Sequence, residues 1–254
     1  MDLGLKGKKA VVTGGTRGIG RAIVDILAAE GCDVAFCARK QDEVTATEKA
    51  VSATGAKAYG GTADVGDGDS IRGFIADAAA KLGGIDILVA NVSAMGGGNE
   101  ESAWRASVEV DIMGTMRTVE AALPFLEKAG NGAIVAISSV SGIEISADTV
   151  RSYNTVKAAV IAYMSNLAKA HAGKGIRANT VSPGTIYFEG GVWGRTKIND
   201  PARYEHFLKK NRAGRMGTPE EVARAAVFLA SPAASFVSGT NLVVDGAYTN
   251  RIQF

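Results

Sequence analysis

Short apolar runs and longer amphipathic stretches alternate along the whole chain. Lys9–Gly14 (KAVVTG) predicts a buried strand. It is followed by a helix over Ile19–Glu30, with Ile19, Ala22, Ile23, Ile26 and Leu27 on one face. Asp33–Ala38, Ala56–Thr62, Ile85–Ala90, Ala133–Ser138, Arg177–Val181 and Asn241–Val244 predict six more strands. Helices are predicted over about Asp42–Thr54, Ser70–Leu82, Trp104–Lys128, Tyr153–Ala172 and Pro219–Leu229. Consecutive Val, Ile and Ala in the strands fit burial on both faces. The alternation therefore predicts an α/β fold, a single-domain doubly wound parallel sheet of about seven strands with helices on both faces. One domain over 1–254 is expected. The only long stretch without clear periodicity is about Thr185–Asn199, and a substrate lid is expected over about 185–212.

Composition sharpens this. The 254 residues include 32 glycines, where an average chain would carry roughly 18. The glycines keep no three-residue period, and 46% of residues are hydrophobic, which excludes collagen and low-complexity disorder. Twenty-eight Lys+Arg against 26 Asp+Glu give a net charge of +2, too balanced for a nucleic-acid binder. Cys32, Cys37, His171 and His206 show no metal-ligand spacing, so no metal site is expected. With no apolar run near 18 residues and no signal-like start, a cytoplasmic protein without a membrane partner is expected.

Four glycines cluster between the first strand and the first helix, in Thr13-Gly14-Gly15-Thr16-Arg17-Gly18-Ile19-Gly20. A Rossmann fold brings a dinucleotide pyrophosphate to a helix N-terminus at this place. Glycines there permit positive φ and close approach of the backbone to the ligand. A plain strand–helix turn needs one glycine, not four. An enzyme using NAD usually carries an acid at the end of the second strand, to accept from the ribose 2′-hydroxyl. This chain has Ala38-Arg39-Lys40, so Arg39, with Arg17 in the turn, predicts a 2′-phosphate and hence NADP(H) in preference to NAD.

The spacing Thr-Gly-x-x-x-Gly-x-Gly resembles the short-chain dehydrogenase/reductase family, and further motifs follow in order over about 230 residues. Asp64-Val65 resembles that family's adenine-contacting pair. Ser182-Pro183-Gly184-Thr185 resembles its nicotinamide turn. Gly217-Thr218-Pro219-Glu220-Glu221-Val222-Ala223 and Ser238-Gly239 through Asp245-Gly246 resemble its C-terminal signatures. The resemblance implies cofactor contacts at Gly14, Thr16, Arg17, Gly18, Ile19, Gly20, Arg39, Asp64, Val65, Asn91, Tyr153, Lys157, Pro183, Gly184 and Ile186. It also implies a homotetramer.

Tyr153 and Lys157 stand four residues apart, on one helix face, after a strand ending in Ser138-Ser139. Reducing a carbonyl requires a proton for oxygen as hydride reaches carbon. A free phenol titrates near pH 10, and a neighbouring ammonium favours the phenolate. The expected roles are Tyr153 as general acid/base and Lys157 beside it, and the resemblance implies that Ser139, the second Ser of the pair, donates to the developing alkoxide. The resemblance adds that Lys157 also holds the nicotinamide ribose.

Two places depart from the family. Ala90-Asn91-Val92-Ser93 replaces the usual Asn-Asn-Ala-Gly, and Asp111 stands where an Asn completes the catalytic tetrad. Asp111 either continues the relay through its carboxylate or serves only a helix kink. The expected reaction is hydride transfer between NADP(H) and a small alcohol or carbonyl compound. A 3-oxoacyl thioester reductase and a non-catalytic NADP-binding regulator are the alternatives. Met95-Gly96-Gly97-Gly98, Ile143, Glu144, Ile145, Tyr187, Phe188 and Trp193 are the expected pocket surroundings. Arg195, Lys197, Arg203, Lys209, Lys210 and Arg212 make the lid region basic, as a solvated helix face or for an anionic substrate or carrier protein.

Overall fold

The computed structural model describes residues 2–96, 98–145 and 150–252. Seven parallel strands form one sheet: β1 (Lys9–Thr13), β2 (Asp33–Ala38), β3 (Ala58–Thr62), β4 (Ile87–Ala90), β5 (Gly132–Ile137), β6 (Ile176–Pro183) and β7 (Asn241–Val244). Their spatial order is β3-β2-β1-β4-β5-β6-β7. The winding therefore reverses between β1 and β4, and open α/β sheets bind ligands at the carboxyl edge beside such a reversal.

The strands divide their side chains between two cores. Ala10 and Val12 of β1, Val34 and Phe36 of β2, and Ile87 and Val89 of β4 pack on one face. They meet α1 (Gly18–Ala29), α2 (Gln41–Ser52) and α9 (Pro219–Ala230). Val11, Ala35, Leu88 and Ile134 point to the other face, against α3 (Gly68–Leu82), α5 (Gly114–Ala129) and α6 (Ser152–His171). The period of two along each strand sets this partition. Both cysteines are core residues, and burial pushes the Cys32 and Cys37 thiols up to about 12. The far end of α9 is fixed by half-buried Arg177, whose guanidinium donates to the carbonyls of Leu229, Ala230, Ser231 and Val237. Among the described residues, no helix is long and apolar enough to cross a membrane.

Two expectations need correction. The helix expected over Trp104–Lys128 is instead α4 (Glu101–Ser107), a π-helical stretch over Val108–Met113, and α5. A π segment carries one extra residue per turn and displaces the side chains within it, and Asp111 lies there. The stretch after Thr185 is also not aperiodic loop: it holds α7 (Val192–Asn199) and α8 (Pro201–Lys210). At eight residues, with Gly194 inside, α7 is too short for the helical period to show. α8 begins on an Asp200 cap, whose carboxylate accepts from Arg203 N–H at 3.0 Å, with Pro201 opening its first turn.

Candidate active site

The glycine-rich turn is built by main-chain contact. Gly14 and Gly18 have φ of +68° and +55°, in the left-handed region that favours glycine. A Cβ on Gly20 would collide with the Gly14 carbonyl, and one on Gly14 would stand 2.9 Å from a Val92 methyl. Asn91, the residue retained at the altered 90–93 stretch, ties this turn to β4. Its N–H donates to Thr13 Oγ1 at 3.0 Å, and its amide donates to the carbonyls of Thr13 (3.1 Å) and Gly14 (3.3 Å). Arg17 occupies the N-cap of α1 with extended backbone and no side-chain cap. The start of α1 thus combines first-turn N–H groups with glycines at 14, 15, 18 and 20, a cradle that fits a pyrophosphate.

Arg17 and Arg39 are exposed, at the turn and directly after β2. Beside them, Glu43 accepts from Lys40 Nζ at 2.9 Å and from Thr16 Oγ1 at 3.1 Å. The Lys40 hydrogen bond, ahead of the other contacts, holds the Glu43 carboxyl below the usual carboxylate range. Asp64 is exposed after β3 and accepts from Gly66 N–H at 2.9 Å. Val65 is buried, and its carbonyl packs where a side chain on Gly114 would stand.

At the ends of β5 and α6 the structure assembles a polar cluster. Ser139 is buried and extended, and its Oγ accepts from Ser141 N–H at 3.1 Å, capping the short turn Val140–Gly142. That turn lies against α6, since a Cβ on Gly142 would come within 2.7 Å of the Lys157 backbone. Ser138 Oγ donates to the Lys157 carbonyl at 2.8 Å, and Lys157 Nζ donates to the Ile137 carbonyl at 3.1 Å. The same ammonium lies 5.6 Å from the centroid of the half-buried Tyr153 ring. It is also 3.1 Å from Asp111 Oδ1, and the two side chains are 3% and 0% exposed. Asp111 Oδ2 accepts from Ala94 N–H at 3.0 Å. The π segment therefore delivers a carboxylate into the cluster, beside Lys157.

The rest of this edge comes from β6 and from residues 185–212, the segment expected as a lid. Pro183 ends β6, and Gly184 lies so close to Asp245 that a Cβ would stand 2.8 Å from Asp245 Cβ. Ile186 bridges to Gly217, and Thr185 Oγ1 donates to Asn211 Oδ1 at 2.9 Å, so both ends of the lid are pinned. Within the lid, Tyr187 and Tyr204 meet edge to face, with Lys197 Nζ 5.4 and 5.6 Å from their centroids. Arg203 and Lys210 lie over Phe207, which packs against Trp193. These three lid cations rest on rings of the lid itself.

The chain's own pattern carried no signal for several of these contacts. Ser138, Ala94 and, through Thr16, Glu43 act on partners distant in sequence. A Cβ on Gly18 or on Gly191 would stand 2.6 Å from the Phe188 ring, so this ring covers the start of α1. From the C-terminal side, Asn250 N–H donates to Glu144 and Arg251 to the Ile143 carbonyl, each at 3.0 Å. The tail thus fixes the loop after Ser139. Gly97, one of the expected pocket residues, lies outside the described residues.

Comparison with known proteins places this geometry. Residues 14–249 match the family model described as enoyl-(acyl carrier protein) reductase. The chain is 39% identical over 260 residues to an isoepoxydon dehydrogenase of Penicillium expansum, covering 100% of this chain and 99% of that one. It is 37% identical over 249 residues to a cis-4-hydroxycyclohexanecarboxylate dehydrogenase of Sinomonas cyclohexanicum, covering 94% and 96%. Among solved structures, it superposes with a TM-score of 0.89 on an NADPH-bound short-chain oxidoreductase of Pseudomonas aeruginosa that contains an atypical catalytic center. That protein is 31% identical, with 96% and 97% of the two chains covered.

Proposed function

Because the chain belongs to the short-chain dehydrogenase/reductase family, we propose that its carboxyl edge binds NADP(H) and exchanges hydride with a small secondary alcohol or ketone, Tyr153 supplying the proton. The observation that carries this reading is the buried Lys157 ammonium, held by the Ile137 carbonyl and Asp111 beneath the Tyr153 ring. The start of α1, with no side-chain cap and with glycines at 18 and 20, fits the pyrophosphate. Gly14, Thr16, Arg17, Gly18, Ile19 and Gly20 would hold it there, while Asn91 keeps the turn in place. Arg39 and Arg17 would take the 2′-phosphate. Asp64 and Val65 would border the adenine, and Pro183, Gly184 and Ile186 the nicotinamide.

When bound, the reduced nicotinamide supplies hydride to the carbonyl carbon. The Tyr153 hydroxyl gives its proton to the carbonyl oxygen and takes it back in the oxidising direction. Ser139 donates to that oxygen as negative charge develops on it. Lys157 supports the phenolate by its positive charge, and Asp111 holds Lys157 in place.

A homotetramer and a cytoplasmic location complete the proposal, and a monomeric mass in solution contradicts the first. The deciding experiment follows NADPH oxidation against a panel of cyclic ketones, which the relative acting on a hydroxycyclohexane makes the first choice, and an acetoacetyl thioester. Turnover of a cyclic ketone, with a higher kcat/KM for NADPH than for NADH, is expected. Preferred turnover of the thioester replaces the substrate class with 3-oxoacyl reduction. Cofactor binding without turnover of any carbonyl marks a regulator instead.

A further inference from the structure

The hydrogen bond from Ala94 N–H to Asp111 does not need a carboxylate. An amide oxygen at the same position accepts it equally well. What Asp111 adds over an amide is charge, and it adds it 3.1 Å from an ammonium as buried as itself. A buried carboxylate is costly unless paired. Here the carboxylate and the ammonium together carry no net charge.

We infer that Asp111 is a charge-balancing, positioning residue that sets how this site discriminates between oxidised and reduced nicotinamide. The inference rests on the cofactor reading above. Oxidised nicotinamide carries a positive charge that the reduced ring lacks. An unbalanced ammonium in the same low-dielectric site therefore repels only the oxidised form. With Asp111 present the pair is neutral and that repulsion is cancelled. The site keeps a cation beside Tyr153 for proton transfer, and it still admits the cationic form of the cofactor. Asp111 touches neither the reacting carbon nor oxygen in this account; it acts through Lys157.

The test measures dissociation constants of NADP+ and NADPH, each without substrate, for the full-length parent and for Asp111→Asn. The ratio of the NADP+ constant to the NADPH constant is expected to rise roughly tenfold in the variant. The double variant Asp111→Asn, Lys157→Met removes both charges, and its ratio is expected to return to within about twofold of the parent. A merely structural role for Asp111 weakens both redox forms alike and leaves the ratio unmoved. Asp111→Ser, which leaves room for a water beside the ammonium, gives the same reading if the amide variant does not fold. A ratio unchanged in a folded neutral variant that binds both forms overturns the inference. A parent that binds neither dinucleotide overturns the cofactor reading instead, so the two failures are distinguishable.

Discussion

The glycine-rich edge and the lid meet at Phe188, and different physics holds each of them. The turn from Gly14 to Gly20 is fixed by backbone: left-handed glycines, a collision waiting for any Cβ at Gly20, and the Asn91 straps to β4. The lid is fixed at its two ends by Thr185 with Asn211 and by Ile186 with Gly217, and between them by exposed aromatic–cation contacts. Main-chain packing of the first kind tolerates no substitution, because no side chain can move aside. Ring and ammonium contacts at a surface are each worth about 0.5–1 kcal/mol and re-form in other arrangements. One region is therefore held rigidly, and in the other side chains can rearrange.

The largest effect expected from breaking this contrast is at Gly20. Gly20→Val forces its side chain into the Gly14 carbonyl, and overpacking of this kind costs about 1–3 kcal/mol. NADPH binding measured by calorimetry should weaken at least ~100-fold, since the backbone of the cradle must shift. A variant that binds as the parent does contradicts the backbone account of the turn.

Arg39→Asp comes next. It replaces a cation after β2 by the acid that favours a ribose 2′-hydroxyl, and the NADPH-to-NADH ratio of kcat/KM should fall by roughly tenfold or more. Equal use of both cofactors by the unmodified protein removes the basis for that prediction.

In the lid, Lys197→Ala deletes one cation from the two tyrosines. Steady-state KM for the substrate should change by about two- to fivefold, with the NADPH dissociation constant unmoved. A larger change in cofactor binding than in KM would join the two regions that are separated here.

The smallest effect is at the root of α9. Arg215 hydrogen-bonds Glu221, and this with the Thr218 N–H contact holds the carboxyl down at about 2. A carboxyl lowered on folding contributes stability at pH values above its unfolded range, and that contribution fades as pH falls towards about 2. The pair is exposed, so solvent screens it. Between neutral pH and pH ~3, the melting temperature of Glu221→Gln should fall by about 2 °C less than that of the parent. Identical pH dependence in both proteins rules out the contribution.

The contrast also governs what could be read from the sequence. β2 and β7 lie where their apolar runs place them, at Asp33–Ala38 and Asn241–Val244: β2 because a strand buried on both faces is written as a continuous apolar segment, and β7, half-buried at the sheet edge, because Leu242, Val243 and Val244 still form an apolar run. The turn was legible because its glycines are required by local geometry and sit at fixed spacing. α7 was not, since a surface helix of eight residues buries little and leaves only a short periodic trace. The π segment at Val108–Met113 was also invisible, because its apolar period merges with that of the helices on either side. Asp111 stood out as a departure from the family, but its partners Ala94 and Lys157 are brought to it only by folding.

The central claim is that the Tyr153 hydroxyl carries the proton for hydride transfer at this edge. It is tested most directly by transfer of deuterium from the nicotinamide C4 of labelled NADPH to a carbonyl substrate, in the parent and in Tyr153→Phe. The parent should deliver the label to the alcohol carbon. The variant should do so about 100-fold or more slowly while binding NADPH within about twofold of the parent. Label transfer by Tyr153→Phe at the parent's rate would contradict the account.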